Sequence, residues 1–327
     1  LYEGLRCGIT TFADHYYFSG GVAKALDRLG LRGVIGECIA DLGGAFPDAK
    51  RWLTAKQEIE HWEHSSRVQP LVAPHATDTV SAPLLTEMAA YANANQLPLH
   101  MHLSQSKGER ERVARRDQIS PVAYADRCGA ITPHSLLVHL VSADSRDLKI
   151  IAERGASVGF CPASQMIYER IAPFSEFLRL KIPVALATDC APSNDGCDLY
   201  AELRLAGLMA KHFGCKEATP AELWKMVTRN PAKVLGIANV STGIEVGARA
   251  DLVFIEDNLL AAPGHHILSD AIYGSTSRGI TAVFVDQQFV LWQAKPCLVD
   301  ETVMLSDFND AVREILKRCD LLQKGIS

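Results

Sequence analysis

LPLHMHLSQS, residues 97–106, opens with a short apolar run around a proline and then sets two histidines two positions apart. The run is long enough for one buried strand and too short for a helix. Side chains alternate between the faces of a strand, so His100 and His102 share one face and Leu99, Met101 and Leu103 the other. Two imidazoles side by side on a buried face are costly unless something satisfies them. A metal ion does so, neutral imidazole being its commonest protein ligand. Hydrogen bonds from two core histidines to the main chain would do so too, and a lone His-x-His does not separate these readings.

Outward from this strand, apolar runs alternate with helical stretches. Strands are expected at 9–14, 31–38, 68–74, 136–139, 156–161 and 183–188. Helices are expected at 20–29, 48–65, 81–95, 107–116, 121–128, 144–154, 172–180, 198–212 and 220–229, with Ser81 as an N-cap and Gly155 closing the helix before it. Alternation over about 230 residues is the pattern of parallel βαβ units, which fits an open doubly wound sheet or a (β/α)8 barrel. No Gly-x-Gly-x-x-Gly follows a strand, so the usual dinucleotide signal is missing. Asp14, His75, His102, His139 and Asp189 all fall at the C-terminal ends of expected strands. In a barrel those ends form the catalytic face. Seven strands are counted, one short of closure, and the chain opens without methionine inside a helical stretch, so sequence upstream of Leu1 is expected. Beyond residue 230 the texture changes to short β runs broken by Gly and Asp (242–255, 280–293), followed by an amphipathic helix over 306–322.

Composition excludes several classes of function. With 327 residues, 48% hydrophobic content and a net charge of −5, the chain suits one large α/β unit and offers no nucleic-acid face. The charged run at 107–117 alternates in sign and reads as a solvated helix face. No apolar run approaches the ~18–20 residues of a membrane span. Nine cysteines, without Cys-x-x-Cys, regular spacing or a signal peptide, point to reduced thiols and a cytoplasmic location.

With these residues assembled, the chain resembles the amidohydrolase superfamily, in its aminohydrolase and chlorohydrolase branch. The resemblance runs through LRCGITTFAD (5–14), APHATDTVS (73–81), LHMHLSQS (99–106), LLVHLVSAD (136–144), GFCPASQ (159–165), IPVALATDCAPSND (182–195), LYAELRLAG (199–207), TRNPAKVLGI (228–237) and GIEVGARADLVFIE (243–256). It implies a distorted (β/α)8 barrel lacking its first strand here, over 1–235. Part of a small β-sandwich would follow over 236–300, and a C-terminal helix over 301–327. It also implies one divalent metal, zinc first and iron second, and assembly into homo-oligomers. By position, His102 and Asp189 match metal ligands, and His139 matches the histidine that contacts the bound water. His75 matches a histidine at the substrate. Cys161 and Ser164 match a loop lining the substrate, where Phe160 and Gln165 replace the family's His and Asn. Ser193 and Asn194 lie at the barrel mouth, placing them with Gln165 as substrate-contacting candidates. His100 is read as structural, and Glu202 with Arg204 as a surface or packing pair.

Two departures stand out. The first-strand His-x-His of the family would precede Leu1. The glutamate three residues beyond the strand-five ligand is Gln105 here, and an amide can hold a substrate but cannot donate and recover a proton near neutral pH. The reaction implied is hydrolytic displacement at a ring carbon of a small N-heterocycle such as a purine or pterin. Asp189 would take the proton of the attacking water, His139 would orient that water, and Gln105 would orient the ring. A triazine-type chlorohydrolase, whose halide leaves without a proton, and a homologue kept only for binding or assembly are the competing readings.

Overall fold

The computed structural model describes residues 1–62, 65–168, 170–237, 243–256, 266–274 and 276–319. Parallel strands follow one another in chain order. Strand β1 (Thr11–Tyr16) pairs with β2 (Arg32–Ile39), and β2 in turn with β3 (Val68–Pro70) and β4 (Ala73–Pro74). Bridges from Val72 to Leu99 and from Ala76 to His102 carry the arc on to β5 (Leu99–Leu103). Then come β6 (Ser135–His139), β7 (Ser157–Phe160) and β8 (Val184–Leu186), each parallel to the one before. Helices lie between most of these strands, so the α/β alternation read from the sequence is present. The single strand expected at 68–74 is split into β3 and β4, each ending on a proline. Proline donates no hydrogen bond to a ladder, which limits the length of each piece.

Local signals explain the boundaries. Ser81 accepts a hydrogen bond from the Leu84 amide, and Pro83 sits in the first turn of the helix Ala82–Ala94. Asp144 and Asp147 form a reciprocal capping box on the helix Ser145–Arg154, which Gly155 closes at φ 71°. Every residue of β2 is buried, as expected for a strand covered on both faces. One apolar core, containing Met101, Leu103, Leu137, Val158 and Val184, lies between the later strands and their helices.

A second sheet is antiparallel, in the order β12 (Lys295–Pro296), β11 (Gln288–Trp292), β10 (Ile280–Val285), β9 (Leu252–Ile255). Asp286 and Gln287 join β10 to β11 with φ of 50° and 71°, the two-residue turn whose twist suits a hairpin. Ile280, Val283, Val285 and Leu291 of this sheet pack with Leu5, Leu26, Leu31 and Ile35. Beneath that contact Arg32 of β2 donates to Asp251 through Nε at 2.7 Å and Nη2 at 3.2 Å, and to Asp286 at 3.2 Å. The helix expected over 306–322 starts earlier, at Glu301, and runs to Arg318; residues 320–322 lie outside the described residues. No helix among the described residues is long and apolar enough to cross a membrane.

Candidate active site

Because the strands of the arc are parallel, their C-terminal ends lie on one side, and these ends bring together His15, His75, His102, His139 and Asp189, with His100 deeper along β5. The His102 ring, from β5, is the hub. It stacks on His139 at the end of β6, with centroids 5.4 Å apart and planes 14° apart. On its other neighbours it meets His15 of β1 at 4.6 Å and His75 beyond β4 at 5.1 Å. His100 lies 5.0 Å from His15.

Hydrogen bonds set the tautomers. His102 Nδ1 lies 3.1 Å from the carbonyl oxygen of His75, which can only accept, so Nδ1 carries the proton and Nε2 keeps its lone pair. His75 Nδ1 lies 2.7 Å from Thr79 Oγ1, whose own proton goes to the Ala76 carbonyl at 3.2 Å. His75 therefore also presents a lone pair at Nε2. Burial, with His102 beside it, pulls His75 down to about 4; burial, with His139 beside it, pulls His102 down to about 4. Burial likewise lowers His139, against the opposing charge of Asp189. The imidazoles are thus neutral near pH 7, the form that binds a cation.

Asp189 sits three residues past β8. Burial pushes its carboxyl up, but the Ser164 hydroxyl, the His139 ring and the Cys190 amide outweigh that and leave it below the usual range. Ser164 donates to Oδ2 at 2.5 Å and the Cys190 N–H to Oδ1 at 2.7 Å. One donor atom each from His139, Cys161 and Asp189 lie within 4.8 Å of one another. Neutral imidazoles with lone pairs and an ionised carboxylate are donors that a divalent cation takes, whereas burial, with Asp189 and Glu202 nearby, raises the Cys161 thiol and keeps it protonated.

Three strand ends are held in the left-handed region: Ser104 at φ 49°, His139 at 84° and Asp189 at 62°. Non-glycine residues adopt it at a cost, and here it directly follows β5, ends β6 and lies three residues past β8. The next residue after Ser104 is Gln105, whose main-chain N–H donates to Glu109 Oε2 at 2.7 Å. Glu109 is fully buried and also accepts from the Thr77 hydroxyl.

The remaining candidates separate. Asn194 donates to the Thr188 carbonyl at 2.6 Å and to Glu202 Oε1 at 2.8 Å, and Ser193 donates to the Cys190 carbonyl at 3.0 Å, so both belong to the turn that follows Asp189. Gln165 is buried, with Nε2 donating to the His139 carbonyl at 3.2 Å and Oε1 accepting from Ala172 N–H at 2.9 Å. That differs from the expected substrate contact: its amide holds the end of β6, and both its ends are engaged with main chain. Glu202, read as a surface or packing residue, is buried and also accepts from the Ala163 amide at 3.1 Å, tying the turn after β7 to the turn after β8. Sequence reasoning missed His15. It ended the strand at Asp14, whereas β1 continues to Tyr16 and places His15 inside; the aromatic pair Tyr16 and Tyr17 was the signal for that extension.

Residues 3–290 match the model of the amidohydrolase family. The chain is 31% identical over 326 residues to the 5'-deoxyadenosine deaminase of Methanosphaera stadtmanae, covering 96% of this chain and 75% of that one. It is 33% identical over 319 residues to the 5-methylthioadenosine/S-adenosylhomocysteine deaminase of Pyrococcus furiosus, covering 94% and 74%. Among solved structures it superimposes on an adenosine deaminase from Xanthomonas campestris with bound zinc, with a TM-score of 0.89 and 26% identity, over 96% of this chain and 73% of that one.

Proposed function

Since the chain belongs to the amidohydrolase family, a family of metal-dependent enzymes, and is a hydrolase of carbon–nitrogen bonds other than peptide bonds, we propose that it releases ammonia from the amino-bearing ring carbon of an adenosine-type nucleoside. The arc from β1 to β8 is in this reading most of a (β/α)8 barrel, and the antiparallel sheet part of a β-sandwich. His102 and Asp189 would hold the metal, with zinc as the ion. The observation that carries the proposal is the hydrogen bond from His102 Nδ1 to the His75 carbonyl, because it fixes the tautomer a ligand needs beside an ionised Asp189.

A bound zinc ion would supply hydroxide near neutral pH, by lowering the pKa of water from 15.7 to about 7. Asp189 takes the proton of the attacking water and returns it toward the leaving nitrogen. His139, kept neutral by burial, donates a hydrogen bond to the oxygen as charge develops on it. Gln105 orients the ring through its amide, and His75 offers its Nε2 to the substrate. Ser193 and Asn194 shape the rim after β8.

The experiment is release of ammonia from adenosine, 5'-deoxyadenosine and S-adenosylhomocysteine by the full-length protein, set against chloride release from a chlorotriazine. Ammonia from at least one nucleoside is expected, falling by about 10²–10⁴ in Asp189→Asn. Chloride release without ammonia would move the assignment to a chlorohydrolase. A protein that takes up zinc but turns over none of these compounds would overturn it.

A further inference from the structure

The helix Lys107–Asp117 starts on a familiar capping motif and then departs from it. Ser106 is the N-cap, its Oγ accepting from the Glu109 amide at 3.0 Å. In a capping box the glutamate at the third helical position returns its carboxylate to the N-cap amide. Glu109 reaches past Ser106 instead: Oε2 accepts from the Gln105 N–H at 2.7 Å, and Oε1 from the Thr77 hydroxyl. The residue is 0% exposed, and a carboxyl buried without partners would be costly. Both of its oxygens are engaged with residues outside the helix.

Those two partners belong to the two turns that carry proposed substrate contacts. Thr77 lies two residues past His75, in the turn whose Thr79 hydroxyl meets the His75 ring. The same helix grips that turn twice more, through Arg112 Nε on Asp78 Oδ2 at 2.8 Å and Arg116 Nη2 on the Thr77 carbonyl at 2.8 Å. On the other side, Gln105 follows Ser104, which is left-handed at φ 49°. The Ser142 amide and hydroxyl hold the Ser104 carbonyl at 2.9 and 3.1 Å, and the same hydroxyl holds the Ser106 carbonyl at 3.0 Å. Glu109 supplies the partner for the amide between them. A strained backbone persists only where its surroundings over-determine it, and this carboxyl is part of that support.

We propose that Glu109 is a positioning residue for the reaction: its buried carboxyl locks the main chain at Gln105 to the His75 turn, and so fixes where the Gln105 side chain meets the substrate ring. This role rests on the proposed reaction, in which Gln105 orients the ring, and goes beyond it by naming what orients Gln105. Glu109 touches neither substrate nor metal and acts through its neighbour. Reaction between held groups is sensitive to small displacements, a shift of about 1 Å costing on the order of 10²-fold in rate.

The test compares variants of the full-length protein by kcat and KM for ammonia release from the nucleoside that the wild type turns over fastest. Zinc content and melting temperature are measured alongside. Glu109→Leu removes both acceptors, and kcat should fall about 10²-fold while KM stays within about threefold of wild type. Glu109→Gln can still accept from the Gln105 N–H through Oε1 and donate to Thr77 through Nε2, so kcat should return to within about threefold of wild type. In a Gln105→Ala background, Glu109→Leu should lower kcat no further, since the group it positions is gone. Thr77→Val cuts the anchor and leaves Glu109 in place; it should lower kcat about 10-fold and likewise add nothing to Gln105→Ala. That pair decides the matter should Glu109→Leu not fold. Unchanged kcat in Glu109→Leu would overturn the inference and leave the reaction standing. So would a loss that appears only with lower zinc content, or one equal with and without the Gln105 side chain; either marks a structural role. A wild-type protein that releases ammonia from none of the nucleosides would remove the proposed reaction and the inference with it.

Discussion

The carboxylate of Asp189 is controlled by Ser164. Burial works to protonate that carboxyl, and the 2.5 Å hydroxyl contact heads the interactions that keep it ionised. In Ser164→Ala the carboxyl pKa rises, so the form that accepts a proton is lost at higher pH. The acid limb of the kcat/KM profile should therefore move upward by about 1 pH unit, the equivalent of one hydrogen bond to a charged group. An unmoved limb would show that Ser164 does not set this ionisation. Gln105→Glu restores a group able to carry a proton, and a rise in kcat of about 10-fold or more is expected if proton delivery limits turnover. Steady-state ammonia release decides it. At this scale His75, His102, His139 and Asp189 were legible because each follows an apolar run that only a strand explains. Glu202 was not, since its partners, the Ala163 amide and Asn194, come from two other turns and leave no mark in its own helix.

Elements carry a different dependence on pH. The helix Lys107–Asp117 begins beside Gln105, with Ser106 accepting from the Glu109 amide at 3.0 Å. Burial raises the Glu109 carboxyl to about 7, although Thr77 and the Gln105 amide oppose it. Its folded pKa thus lies above its unfolded value of 4.5, so the folded state keeps a proton that the unfolded chain releases. Stability from this group is fully present below about 4.5 and is lost as pH rises through about 7, by on the order of 3 kcal/mol. Denaturation midpoints at pH 5 and pH 8 should differ in the wild type and converge in Glu109→Gln; equal differences in both proteins would refute the assignment. Caps were legible at this scale, Ser81 and Gly155 among them, because their chemistry is local. The break between β3 and β4 was not, as two prolines four residues apart still permit one strand in an alternating run.

Across the whole molecule, the parallel arc and the antiparallel sheet meet over an ion pair. Arg32 and Asp251 have side chains only 3% and 4% exposed. Arg32→Met would leave Asp251 buried beside an apolar chain and should cost about 3–5 kcal/mol, read from the denaturant midpoint. Adding Asp251→Leu should recover most of that loss, because an apolar pair of similar volume replaces the ion pair. A double variant no more stable than Arg32→Met would contradict this account. The α/β alternation was legible from period and turn residues alone. The docking of the second sheet was not, because Arg32 and Asp251 stand 219 positions apart and each reads as an ordinary surface charge.

The left-handed strand ends set a limit on how this protein can be improved. Ser104→Gly should relieve about 1 kcal/mol and also remove a buried hydroxyl without a partner. The same relief is open at 139 and 189, but there glycine would delete the imidazole and the carboxylate. A library screened only for survival at high temperature would drift toward robust, inert variants, whereas selection alternating heat with turnover would accept glycine at 104 and refuse it at the other two positions.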